Sequence, residues 1–143
     1  MAKSDRSNDA QYAALPYRMS AHGPQVMLIT SRETRRWVIP KGWPMEGKKP
    51  HRVAELEAFQ EAGIKGIVSK KPIGTYPYAK ALAGGGERLC FVEVFLLRVT
   101  VEAANWPEKA ERRRAWFKPE EAADKVDEVS LARIIEDVAL DVA

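Results

Sequence analysis

At 143 residues, 45% hydrophobic and 30% charged, the chain has enough apolar material for one domain with a real core, and too little length for two. The excess of 23 basic over 20 acidic side chains is mild and by itself names no partner. The longest apolar run, Phe91 to Leu97, is broken by Glu93 and falls far short of the roughly 20 residues a bilayer span needs, so no membrane association is expected.

The first ten residues, MAKSDRSNDA, are polar, lack the apolar segment of an export signal, and read as a flexible tail over residues 1–9 ahead of one domain spanning 10–143. A lone cysteine, Cys90, within an apolar strand pattern reads as a small buried hydrophobe and fits the reducing cytoplasm. Gln11 to Arg18 is a candidate edge strand, because Pro16 is poorly tolerated in a central one. Turn chemistry at His22-Gly23-Pro24 precedes a buried strand over Gln25 to Thr30, and a polar connection leads to a short strand from Trp37 to Ile39, stopped by Pro40.

A Gly/Pro/Lys loop follows, then an amphipathic helix with Pro50 in its first turn and Gly63 as its left-handed cap. Ile64 to Ser69 and Ile73 to Tyr78 favour strands. Gly84, Gly85 and Gly86 read as a hairpin connection rather than a phosphate loop, since no Lys-Ser/Thr pair follows them. Leu89 to Val101 is the strongest strand signal, and Ala115 to Phe117 is another short strand. Lys118-Pro119-Glu120-Glu121 opens a helix, and Ser130 is placed as the cap of a final helix carrying Leu131, Ile134, Ile135 and Val138 on one face. Six or seven strands with two substantial helices predict an α/β/α sandwich around a mixed sheet.

Basic residues crowd the loops, notably Arg32, Arg35, Arg36, Lys41, Lys48, Lys49 and Arg52, then Arg112, Arg113 and Arg114. Such loops suit a small phosphorylated molecule. Nucleic acid is not the expected partner, because the basic segments carry no reader motif and little aromatic interleaving.

At about 100° per residue, Glu57 and Glu61 share one helical face with Gln60 beside them, while Ala54, Ala58 and Ala62 stack into a ridge that can approach a sheet closely. Two glutamates one turn apart can hold a hard divalent cation, although the pair alone is more often an ordinary solvated face.

The stretch from Gly42 to Ile64 resembles the Nudix box of the Nudix hydrolases, with Gly42 at the opening glycine, Glu57 and Glu61 at the first and last helix glutamates, and Gly63-Ile64 at the close. RWVIPKG before it and WPEKAERRRAWFKPEEA after it resemble the diphosphoinositol polyphosphate phosphohydrolase branch. Departures fall at Lys48 and Gln60, where the signature has glutamates, at Leu56, where it has arginine, and at Ala58, usually a bulky aliphatic. The resemblance implies a Nudix-type α/β/α sandwich and hydrolysis of a pyrophosphate bond in a nucleoside diphosphate-linked, dinucleoside polyphosphate or related substrate. It implies Mg²⁺ or Mn²⁺ on Glu57, Gln60 and Glu61, with Glu57 and Glu61 catalytic. Arg32, Lys41, Gly42 and Arg113 are the expected substrate contacts. Glu108 and Glu111 stand open as a further ligand or base. The alternative is a Nudix-like domain that binds a phosphorylated ligand without turnover.

Overall fold

The structure is a computed structural model and describes residues 9–142. The tail expected over residues 1–9 therefore lies outside the described residues except for Asp9, whose carboxylate accepts a hydrogen bond from Arg88 Nε at 3.1 Å.

In chain order the elements are β1 (Ala10–Ser20), β2 (Gly23–Thr30), β3 (Trp37–Val38), β4 (Lys41–Gly42), α1 (Pro50–Ala62), β5 (Ile64–Val68), β6 (Gly74–Ala81), β7 (Glu87–Glu102), β8 (Arg114–Phe117), α2 (Pro119–Lys125), α3 (Val129–Glu136) and α4 (Val138–Asp141). The eight strands form one sheet with the central order β3-β2-β1-β7-β5, while β4 pairs with β1, β6 with β7, and β8 with β2. The sheet is mixed, because β1 runs parallel to β7 and the other pairings are antiparallel.

Alternation along the strands sends side chains to two separate cores. Ala14, Met27, Ile29, Val38, Phe95 and Leu97 face α1, which presents Ala54, Ala58 and Ala62 with no exposed surface. Ala13, Leu15, Val26, Leu28, Val92, Val94 and Leu96 face the opposite way, under Ala122, Leu131, Ile135 and Val138 of α2, α3 and α4. The sheet is thus covered on both faces, as the α/β/α reading requires.

Three details differ from the sequence expectations. β1 is central rather than an edge strand, flanked by β7 on one side and by β4 and β2 on the other. The sheet tolerates Pro16 there because of where its nitrogen points. Ala14 donates its N–H to Pro40 at 3.0 Å, so by alternation the nitrogen of Pro16 turns to the same side. On that side the β4 pairing ends at Ala13 and the β2 pairing begins at Tyr17, so Pro16 lies where no ladder bond is required. Second, Ser130 lies inside α3, whose N-cap is Glu128, and the expected final helix is divided into α3 and α4 at Asp137. Third, the loop after Pro40 contains the two-residue strand β4.

The alanine ridge makes a packing prediction. Ala58 is fully buried between α1 and the sheet, so Ala58→Leu should destabilise the fold by about 1–3 kcal/mol through overpacking. Urea denaturation with an unchanged m-value measures this, and an unaltered midpoint would show that the helix does not lie tightly on the sheet.

Candidate active site

The helix α1 delivers its acids through its last two turns. Glu57 is half-buried, and Glu61 is 8% exposed in the crevice between α1 and β4. Their carboxyl groups stand within hydrogen-bonding reach of each other. The backbone of β4 forms the facing wall. The Lys41 amide donates to Glu61 Oε1 at 3.3 Å, and a Cβ at position 42 would meet the Glu57 carboxylate, so glycine there lets that side chain lie against the β4 backbone.

The opposite wall is the segment between β7 and β8. It is fastened to the carboxyl end of α1, where the last carbonyls of any helix lack partners within the helix. Gln60 O accepts from the Glu108 amide at 3.2 Å and Glu61 O from Trp106 Nε1 at 3.2 Å. Ala62 O accepts from Arg114 at 2.9 Å, and Gly63 O accepts from the Ala103 amide at 2.8 Å and from Arg114 at 3.3 Å. The Arg114 guanidinium also lies over the Trp106 ring, 4.0 Å from its centroid. Gly63 closes the helix in the left-handed conformation (φ 68°), and a Cβ there would run into Trp106.

This fastening positions Arg112. Its side chain is 9% exposed, donates to Glu108 Oε1 at 2.6 Å and to Thr30 O at 3.1 Å, and stands 3.8 Å from Glu61 Oε1. Arg112 rather than Arg113 therefore faces the carboxylates. Arg113 is exposed, and its amide donates to Thr30 Oγ1 at 2.9 Å. Arg32 is also exposed and paired with Glu111 at 3.2 Å. In the run Arg112-Arg113-Arg114 nothing in the sequence distinguishes the three, because their burial follows from where the segment is tied.

The structure divides the remaining expected residues. Gly42 shares the α1 face with its partner Tyr12, whereas Lys41, opposite Ala13, turns to the other face of the sheet. There its ammonium lies 4.1 Å from the Tyr78 ring centroid, with the Arg36 guanidinium 5.4 Å from the same ring. The sequence reading did not single out Tyr78. It also missed Gln11, 3% exposed on β1, whose Oε1 has no hydrogen-bond partner among the described residues. A buried acceptor without a partner is a rare feature in a folded protein. Gln60 is exposed, and its Nε2 donates to Glu108 Oε2 at 3.3 Å, which leaves its amide oxygen available.

The electrostatics follow from burial. Desolvation raises the Glu61 carboxyl to about 8, with Glu57 adding to the rise and Arg112 and Lys41 opposing it. Glu57 is raised too, first by desolvation. Lys41 is lowered to about 8 by desolvation, against the pull of Glu61. Two desolvated carboxyls beside one guanidinium form a site that gains from a further positive charge. A hard divalent cation fits this donor chemistry: Mg²⁺ needs only one or two carboxylates, with an amide oxygen, water and phosphate completing its shell. Glu57, Glu61 and the Gln60 amide oxygen are the groups that would hold it. Among the described residues no three His, Cys, Asp or Glu side chains group to hold a metal ion unaided.

Known proteins similar to this chain in sequence are Nudix hydrolases and diphosphoinositol polyphosphate phosphohydrolases. Nudix hydrolase 13, mitochondrial, of Arabidopsis thaliana is 34% identical over 108 residues, covering 70% of this chain and 52% of its own length. Diphosphoinositol polyphosphate phosphohydrolase 3-alpha of Mus musculus is 29% identical over 112 residues, covering 77% of this chain and 64% of its own. This chain is similar in sequence to Nudix hydrolases and has their fold. It spans about half the length of the plant relative, 52%, and no family model matches it. Among solved structures, the E. coli dihydroneopterin triphosphate pyrophosphohydrolase superposes with a TM-score of 0.69 at 15% identity, covering 93% of this chain and 96% of that one. A C. elegans Ap4A hydrolase binary complex gives 0.68 at 16% identity, with the same coverage of 93% and 96%. At such identities these two matches speak for the fold alone.

The paired shifts predict a pH signature. A carboxyl whose pKa is raised on folding holds more protons in the folded than in the unfolded chain, so stability falls as pH climbs from the ordinary carboxylate range to about 8 through Glu61. Lys41, lowered to about 8, makes the unfolded chain the more protonated one above that value, so stability then rises towards the ordinary lysine range. Urea denaturation in cation-free buffer should show a minimum near pH 8. Glu61→Gln should shrink the falling limb to the part that Glu57 supplies, and Lys41→Met should remove the rising one. A flat profile in the parent protein would mean that neither group titrates away from its ordinary range.

Proposed function

We propose that the chain is a Nudix-type pyrophosphohydrolase that cleaves a nucleoside diphosphate-linked, dinucleoside polyphosphate or related pyrophosphate substrate with Mg²⁺ or Mn²⁺. The observation that carries this reading is the pair Glu57 and Glu61, desolvated together against the β4 backbone with Arg112 fixed 3.8 Å from Glu61. The bound cation would offset phosphate charge and favour ionised water.

The chain's own residues do the rest. The Arg112 guanidinium, held by Glu108 and Thr30, offers directed donors to a phosphate oxygen without having to be ordered first. One carboxylate of the pair takes a proton from water, the water oxygen attacks phosphorus, the anhydride bond breaks, and two phosphorylated fragments leave. Arg32 and Arg113, both exposed, are proposed to meet the outer phosphates, and Gly42 to keep the β4 backbone close to them. Lys41 and Gln11 contribute from the opposite face of the sheet, where an ammonium and an acceptor without a partner suit a polar substrate moiety. Cytoplasmic residence is proposed from the single buried Cys90; among the described residues no helix is long and apolar enough to cross a membrane.

A second reading, a phospholigand-binding domain without turnover, draws on one observation: the described residues group no three metal-ligating side chains. Both readings are tested by following product release from dinucleoside polyphosphates, sugar nucleotides and inositol pyrophosphates with Mg²⁺ and Mn²⁺. The enzyme reading expects Glu57→Gln and Glu61→Gln each to lower kcat/KM by about 100-fold or more. Equal rates in all three proteins would remove both glutamates from the mechanism, and metal-independent binding with no turnover would establish the second reading.

A further inference from the structure

The amino end of α1 opens on a cavity of about 580 Å³ that lies apart from the carboxylate pair. Lys48, Lys49, His51, Arg52, Glu55 and Lys70 line it. His51 and Glu61 are ten residues apart on the helix, about 15 Å along its axis. Four cations face one anion here. Glu55 is taken by Arg52 at 2.7 Å, whereas no ion pair neutralises Lys48, Lys49 or Lys70 among the described residues.

Two features suit the cavity to an anion. His51 is only 7% exposed, packs towards Phe95 with ring centroids 6.5 Å apart, lines the cavity, and has no hydrogen bond to its ring nitrogens among the described residues. Its ring nitrogens are not enclosed by protein, Gln11 Oε1 being the only enclosed side-chain N or O without a partner among the described residues, so they stay accessible to a ligand in the cavity. In addition, α1 begins without a side-chain cap and without an acid in its first turn, so among the described residues no cap or first-turn acid balances the positive end of its dipole. Burial first, and then the charges of Arg52, Lys49 and Lys70, hold the His51 imidazole below its usual pKa.

We propose that this cavity is a second anion site, taking a compact phosphate chain of the pyrophosphate type between Lys48, Lys49 and Lys70, with His51 as a hydrogen-bonding partner at its base. Tetrahedral phosphate groups match the chemistry: several ammonium donors from different segments, one imidazole nitrogen, and a helix amino end converge on a volume that holds two or three of them. A carboxylate ligand would present fewer acceptors to these cations. The site does not rest on hydrolysis at Glu57 and Glu61 and would exist in either reading of that pair.

The test is an NMR titration of the intact protein with sodium pyrophosphate in cation-chelating buffer, following both histidine rings. His22, exposed in the β1–β2 turn, is an internal reference. Saturable shifts are expected at His51 and at the amides of Lys49, Arg52 and Lys70, with His22 unmoved, in wild type and in Glu57→Gln alike. Lys49→Ala/Lys70→Ala should weaken the affinity about tenfold or more while leaving the far-ultraviolet circular dichroism unchanged. Shifts reproduced by sodium chloride at equal ionic strength, shifts confined to residues 57–61, or an affinity untouched by the double substitution would each overturn the proposal. The wild-type titration decides the matter even if the double variant does not fold.

Discussion

The carboxyl end of α1 is the constraint from which the rest of the site follows. Four successive carbonyls, from Gln60 to Gly63, are satisfied by donors from outside the helix, all supplied between Ala103 and Arg114. Buried carbonyls left without partners are costly, so helix and segment hold each other in one arrangement. The Arg114 guanidinium also places positive charge at the negative end of the helix dipole. Arg112, two residues earlier, inherits its place beside Glu61 from this fastening, as does Glu108. A segment that would otherwise be a charged surface loop thereby becomes the wall of a crevice.

The electrostatic pattern is what such a wall costs and provides. Burying Glu57 and Glu61 side by side opposes ionisation of both, and one guanidinium shared with Glu108 does not restore it. A fold optimised for stability alone would place alanine or glutamine there. The other cations near the site are arranged differently: Arg36 is bound to Glu128 at 2.8 Å, Arg32 to Glu111, and Lys41 lies against an aromatic ring on the far face. The charge is therefore distributed over two faces of one sheet, with the strand β4 as the boundary between them.

Much of this was legible in the sequence where a local rule governs. The helix with Pro50 and Gly63 at its ends, the alanine ridge, the glutamate pair and the long strand β7 each follow from residues a few positions apart, and each is present. The box spacing carried the kinship correctly despite its substitutions. What failed depends on neighbours distant in the chain. Pro16 argues for an edge by its own chemistry, but whether a strand edge is paired at one residue depends on where β4 stops and β2 starts. Ser130 has the chemistry of a cap, yet the cap position of α3 falls two residues earlier, at Glu128, which is anchored to Arg36 from the β2–β3 connection. That Arg112, of the three arginines, faces Glu61 is equally a tertiary fact, set by Thr30 and Glu108. Leu56, read only as a missing arginine, is 44% exposed beside the basic cavity.

The parallel pairing of β1 with β7 has a consequence for how the chain reaches this state. From Ala10↔Phe91 to Tyr17↔Arg98, every partner in the ladder is separated by about eighty residues of intervening chain. During synthesis β1 can form its hairpin with β2 early, but its other edge has no partner until β7 has emerged. Closing so long a loop before any contact rewards it makes this the slow step of assembly. For that interval a strand rich in buried residues stands with one open edge, and Pro16, on the opposite edge, does nothing to guard it. The central position that holds the two cores together in the finished protein is thus also the one most dependent on the chain being nearly complete.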